Sequence, residues 1–175
     1  MEPPKEFLEA IGFEDVWMRT AFPALDFDAA YSRGWEFYVP SILNGLLSFF
    51  RIRKEDDGQK YYETSQFLGE VFFEAVQNAV RHGNRFQGEI EIGWWLGEQG
   101  IVCGIKDQGD FFRNPVNAAK AESRIILEHT GKYGCGGGME VIYQADGIKV
   151  VEGVLYLMVL KITIDAGMPR MRKEV

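Results

Sequence analysis

Between Phe67 and Ala79 the apolar positions recur at helical steps: Phe67, Val71, Ala75 and Ala79 fall on one side of a surface that repeats about every 3.6 residues. The pattern predicts a helix over about 62–81, closed by Gly83 and Asn84. Ahead of it, the alternation in "WEFYVP" predicts a strand over 35–39 ended by Pro40, and "SILNGLLSFFRIRKE" predicts a helix capped by Ser41. The stretch "DDGQK" is the break between the two helices. Two β-rich runs, "GEIEIGWWLG" and "GIVCGIKD", flank "GEQG" and predict a hairpin. Between Gly109 and Gly138 the chain is polar and glycine-rich apart from "AESRIILEH", so a long functional loop is expected there. After it "MEVIYQAD" reads as a helix, and "GIKVVEG" with "VLYLMVLKITI" as a closing strand pair. The first thirty residues, with "EFLEAIGFEDVWM", hold a helix signal without fixed bounds.

Length and composition narrow the class. A chain of 175 residues with 46% hydrophobic and 26% charged residues suits one soluble domain with a substantial core. The net charge of −7 and a pI near 4.9 argue against a general binder of nucleic acid or anionic membrane, since phosphates are gripped by clustered Lys and Arg. Arg170, Arg172 and Lys173 form only a short basic tail. Cys103 and Cys135 make no Cys-x-x-Cys pair and the two histidines add no metal-ligand spacing, which leads us to expect a reduced, cytoplasmic setting without structural zinc. No signal peptide is visible, and the most apolar run is too short to span a bilayer.

Three stretches carry candidate chemistry. In "EAVQNAVRHGN", Glu74, Asn78 and His82 stand four residues apart, beside the apolar line of the same helix. A polar group on or beside a core-facing stripe costs roughly 1–3 kcal/mol unless it is partnered, so a ligand or a buried hydrogen bond is expected for Glu74 and Asn78. His82 next to Gly83 reads instead as a helix C-terminus, where the imidazole favours the negative dipole end. "GKYGCGGGMEVI" sets Gly134, Gly136, Gly137 and Gly138 before a helix start, an arrangement that suits phosphate binding or a flexible linker. It is neither a P-loop nor a dinucleotide fingerprint. In "IKDQGDFF", Asp107 ends a strand with Gly109 two residues on. It reads either as a turn residue or as an acceptor for an exocyclic amine, with the glycine letting a ring approach the backbone.

In sequence order these stretches resemble the three nucleotide-binding boxes of the GHKL ATPase superfamily, which joins gyrase-type, chaperone, histidine-kinase and mismatch-repair ATPases. The nearest likeness is to the bacterial anti-sigma factor serine-protein kinases, and it covers about residues 35–165. The resemblance implies an α+β fold, a two-layer α/β sandwich with a mixed, mostly antiparallel sheet and helices on one face. It divides the chain into an N-terminal extension, 1–34, an ATPase domain, 35–167, and a basic tail, 168–175. It implies ATP and Mg²⁺ as cofactors. Glu74 would be the catalytic base, Asn78 the metal ligand, and Asp107 with Gly109 the adenine-reading pair. Gly136, Gly137, Gly138 and Met139 would meet the phosphates, Met139 standing where leucine is usual. Lys132 reads either as a lid residue reaching the phosphates or as a solvated loop lysine.

Two departures qualify the likeness. Phe111 replaces the second glycine of the middle box, at the root of the lid, and "FFRIRKEDDGQK" lengthens the first helix connection. The implied function is an ATP-dependent protein serine kinase or weak ATPase that phosphorylates an antagonist and sequesters a protein partner such as a sigma factor. It has no direct nucleic-acid or membrane partner and leaves room for a homodimer. The alternative is a non-catalytic, nucleotide-dependent binding module of the same fold.

Overall fold

The computed structural model describes residues 1–23, 35–79, 88–108 and 144–166, and the fold is α+β. The chain opens with helix α1 (Lys5–Ile11), which stops at Gly12 in the left-handed conformation, φ 61° and ψ 57°. Only a glycine adopts that turn without a Cβ penalty, and it sends the chain directly into strand β1 (Phe13–Pro23). Helix α2 (Trp35–Phe49) replaces the strand expected over 35–39 and runs through Pro40. Five alternating residues are too few to separate the two periods, and Pro40 removes only one main-chain donor from a segment that packs as a helix. The end of α2 is a Schellman turn: Ile52 N donates to Leu47 O (2.8 Å) and Arg51 N to Ser48 O (3.0 Å), with Arg51 at φ 58°.

Helix α3 (Gly58–Asn78) begins earlier than the expected start near Tyr62, because the Asp57 carboxylate accepts from Lys60 N (3.0 Å) and caps it. Strands β2 (Glu89–Gly97) and β3 (Gly100–Lys106) form the expected hairpin, turning at Glu98 and Gln99. The closing pair is β4 (Gly147–Val151) and β5 (Val154–Leu160), joined by Glu152 and Gly153 at φ 51° and 78°, the backbone of a tight two-residue hairpin turn. The strand expected to run on through "KITI" ends at Leu160, and Lys161–Asp165 is a short helix, α4. The Asp146 carboxylate holds that switch by accepting from Leu160 N (2.6 Å) and from the Thr163 hydroxyl (2.6 Å). Of the expected helix "MEVIYQAD", residues 139–143 lie outside the described residues, and 144–146 form a turn.

The five strands are ordered β1-β2-β3-β5-β4, and every described pairing is antiparallel, where a mixed, mostly antiparallel sheet was expected. On the inner face Ile90, Ile92, Trp94, Leu96, Ile101, Cys103, Ile105, Leu155, Leu157 and Val159 pack against α2 and α3. On the outer face Trp95, Val102, Val154, Tyr156 and Met158 pack against Phe7 and Ile11 of α1. Helices therefore lie on both faces, which corrects the two-layer expectation: the segment before residue 35 supplies an edge strand and a partial third layer. The outer contact is close because it is built on glycine. A Cβ at Gly97 would collide with the carbonyl oxygen of Ile11, and one at Gly100 would lie 3.0 Å from Ile11 Cγ2. Gln99 N donates to Ile11 O (2.9 Å), and Lys149 pairs with Glu6, so α1 is fixed at both ends.

Candidate functional site

Strand β3 lies at the centre of the sheet, and Ile101, Val102, Cys103 and Ile105 are wholly buried. Asp107 follows its last residue and is 1% exposed, a carboxylate at the end of the most enclosed strand. Among the described residues the only other buried polar side chain is Thr64. A carboxylate in such a place is expensive to desolvate and is retained where hydrogen bonds or a ligand answer it, which sets Asp107 apart from a turn aspartate facing water. The next residue, Gln108, is exposed, so the chain passes from core to surface within one step of Asp107.

Helix α3 positions the second half of the candidate site. Val71, Ala75 and Ala79 are fully buried, as the apolar stripe predicts, and Phe72 meets Trp94 of β2 edge to face at 4.8 Å between ring centroids. The main chain of Glu74 and Asn78 belongs to the last turns of α3, and their side chains lie outside the described residues. At about 100° per residue, position 78 falls on the arc that contains the buried Thr64, Phe67 and Val71, and position 74 falls at its margin.

Gly109, Phe111, Lys132, Gly136, Gly137, Gly138, Met139 and His82 lie outside the described residues. The structure therefore brings Asp107 to the end of the sheet's central strand and α3 onto the inner face, and the phosphate-facing residues expected from sequence are not among those it positions. No group of three or more His, Cys, Asp or Glu side chains suited to a metal ion occurs among the described residues. Cys103 is not a nucleophile in this setting, since complete burial pushes its thiol well above the ordinary range and keeps it neutral. Tyr156 is also pushed up, chiefly by burial, and a hydrogen bond from the Glu2 main chain opposes the shift. The polar grouping that sequence reasoning missed is Asp146 with Thr163. Its one local signal is the Asp146-Gly147 turn pair, because Thr163 is distant in sequence.

Compared with known protein families, curated proteins and solved structures, the chain has no match. Among the described residues no helix is long and apolar enough to cross a membrane.

Proposed function

We propose that the chain is an ATP- and Mg²⁺-binding regulatory protein of the GHKL type, acting as an anti-sigma-like serine-protein kinase that phosphorylates an antagonist and sequesters a partner. The observation that carries this reading is Asp107: a buried carboxylate ending the central strand, followed two residues later by a glycine, on a sheet whose inner face is covered by the helix bearing Glu74 and Asn78. A carboxylate so placed accepts a hydrogen bond from the exocyclic amine of adenine and rejects the carbonyl that guanine offers instead.

In this reading Asn78 would be the residue that holds Mg²⁺, offering the neutral oxygen of its carboxamide, a hard donor of the kind this ion takes. Bound Mg-ATP supplies the transferable phosphoryl group and the charge-neutralising ion. Glu74, one helical turn before Asn78, would take the proton from the attacking water or serine hydroxyl, the i, i+4 spacing suiting two groups that serve one ligand. Gly136, Gly137, Gly138 and Met139 would offer main-chain donors to the phosphates, Gly109 would let the base approach, and Lys132 would serve as the phosphate-facing cation.

One sequence feature favours a second reading, a nucleotide-gated binding module without turnover: Phe111 stands where the superfamily places a glycine at the root of the lid. Labelled ATP and Mg²⁺ added to the full chain in an extract of its source separate the two. The kinase reading expects a phosphorylated protein, and Glu74→Ala should lower its formation about 10²- to 10⁴-fold with ATP affinity nearly unchanged. A wild type that consumes ATP no faster than Glu74→Ala leaves only the binding module.

A further inference from the structure

The two edges of the sheet are finished differently. β1, at one end of the strand order, breaks its register twice, between Phe13 and Asp15 and between Val16 and Met18, and stops at Pro23, which offers no N–H. Bulges and prolines are devices by which an edge refuses a further strand. β4, at the other end, has neither: its register runs unbroken from Gly147 to Val151. Its one charged side chain, Lys149, is drawn to Glu6 of α1. Val150 and Val151 are 38% and 39% exposed, consecutive residues and therefore one on each face of the same edge.

The hairpin turn fixes which main-chain groups of β4 face outward. With Glu152 and Gly153 as a two-residue turn, Val151 and Val154 flank it as a hydrogen-bonded pair, and the alternation makes Lys149 with Tyr156 and Gly147 with Met158 the next such pairs. The N–H and C=O of Ile148 and Val150 therefore point away from β5, and among the described residues no hydrogen bond reaches them. A row of alternating donors and acceptors beside apolar side chains is matched by another extended main chain. We propose that β4 accepts an extended segment of a protein partner as an added antiparallel strand. Opposed residues share a face, so the segment is specified position by position: valine-like side chains opposite Ile148, Val150 and Val151, a β-branched polar residue opposite Lys149, and a cation beside Glu152. Glu152 is exposed, forms no ion pair among the described residues, and holds a left-handed turn position at φ 51° where asparagine or glycine fits with less strain. A second copy of this chain fits less well. Pairing two β4 strands about Lys149 sets the two lysines against each other, and pairing them about Val150 or Val151 sets an apolar residue against Glu152. A five-residue edge also buries far less than the roughly 1,000 Å² of a stable interface. No residue assigned to the nucleotide site lies on β4, so the surface is testable without ATP.

The test uses the full chain without nucleotide and a fluorescent peptide, Lys-Val-Val-Thr-Val between Gly-Ser ends, followed by anisotropy. The peptide should bind, and a copy N-methylated at the valine set opposite Val150 should bind about tenfold or more weakly, because it cannot donate to the Val150 carbonyl. Val150→Pro removes the outward N–H, which the β4–β5 ladder does not use, and should weaken the parent peptide about tenfold with the β4–β5 amides still protected from exchange. Glu152→Asn should weaken it about threefold while Tm is unchanged or higher. The N-methylated peptide leaves the protein untouched, so its result holds whatever Val150→Pro does to stability. Failure of the parent peptide to bind at millimolar concentration, or equal binding by its N-methylated copy, overturns the proposal. A dimer in sedimentation that Val150→Pro dissociates also overturns it, by assigning the edge to a second copy.

Discussion

The two faces of the sheet are closed by different means. The inner face is filled by large side chains from two long helices, with Phe72 against Trp94 and a row of Ile, Leu and Val between α2, α3 and three strands. The outer face is closed by a seven-residue helix that approaches the sheet where glycines leave room for main-chain atoms. Side-chain packing tolerates substitution at the margin of a helix, where position 74 of α3 falls. Contact between main-chain atoms tolerates no added atom. The difference separates a face closed by side-chain packing from one closed by main-chain contact.

The largest effect expected from this contrast is on the inner face. Phe72→Ala removes a buried ring and its edge-to-face partner, and should destabilise by about 3–5 kcal/mol in urea unfolding. Gly97→Ala is an overpacking change against the Ile11 carbonyl and should cost about 1–3 kcal/mol. Hydrogen exchange distinguishes the two: Gly97→Ala should release the amides around Gly12 and Gln99 first, with α3 still protected. Simultaneous loss of protection in α1 and α3 would show that the two faces are one cooperative unit.

The smallest effect concerns Asp165, whose carboxyl is held below its ordinary value by its hydrogen bond to Lys161 and then by Lys60 of α3. A folded pKa below the unfolded one means that the contribution is present above about pH 4 and lost as pH falls through the folded value. The pair is partly exposed, so the loss should be small. Acid titration of Asp165→Asn should show a shallower decline below about pH 4 than wild type. Superimposable curves would assign α4 no part in acid stability.

Much of the inner face was legible because its signals are periodic. The line Phe67, Val71, Ala75, Ala79 is buried as its spacing predicts, and the hairpins around "GEQG" and Glu152-Gly153 lie where turn chemistry places them. The outer face was signalled differently. "GIVCGI" and "VLYLMVL" are continuous apolar runs, not alternating ones, and a strand buried on both faces reads that way. What covers the second face is α1, a helix too short for periodicity to bound. The stretch "WEFYVP" failed because five alternating residues do not separate the strand period from the helical one, and Pro40 stands inside α2. Thr163 capturing Asp146 is a contact between distant residues that no local pattern announces. For the candidate site, Asp107 has two readings in sequence, a turn residue or an acceptor for an exocyclic amine, and what no local pattern announces is that its side chain is buried at the end of β3.

The most direct test is therefore on Asp107 itself. Calorimetric titration of the full chain with ATP, ADP and GTP in the presence of Mg²⁺ should give adenine nucleotides an advantage of about tenfold or more over GTP, because guanine leaves the carboxylate facing a carbonyl. Asp107→Asn should erase most of that advantage while the protein keeps its wild-type circular dichroism spectrum. Equal affinity for ATP and GTP in the wild type, or an Asp107→Asn protein that binds ATP as tightly as its parent, would contradict the nucleotide-site assignment.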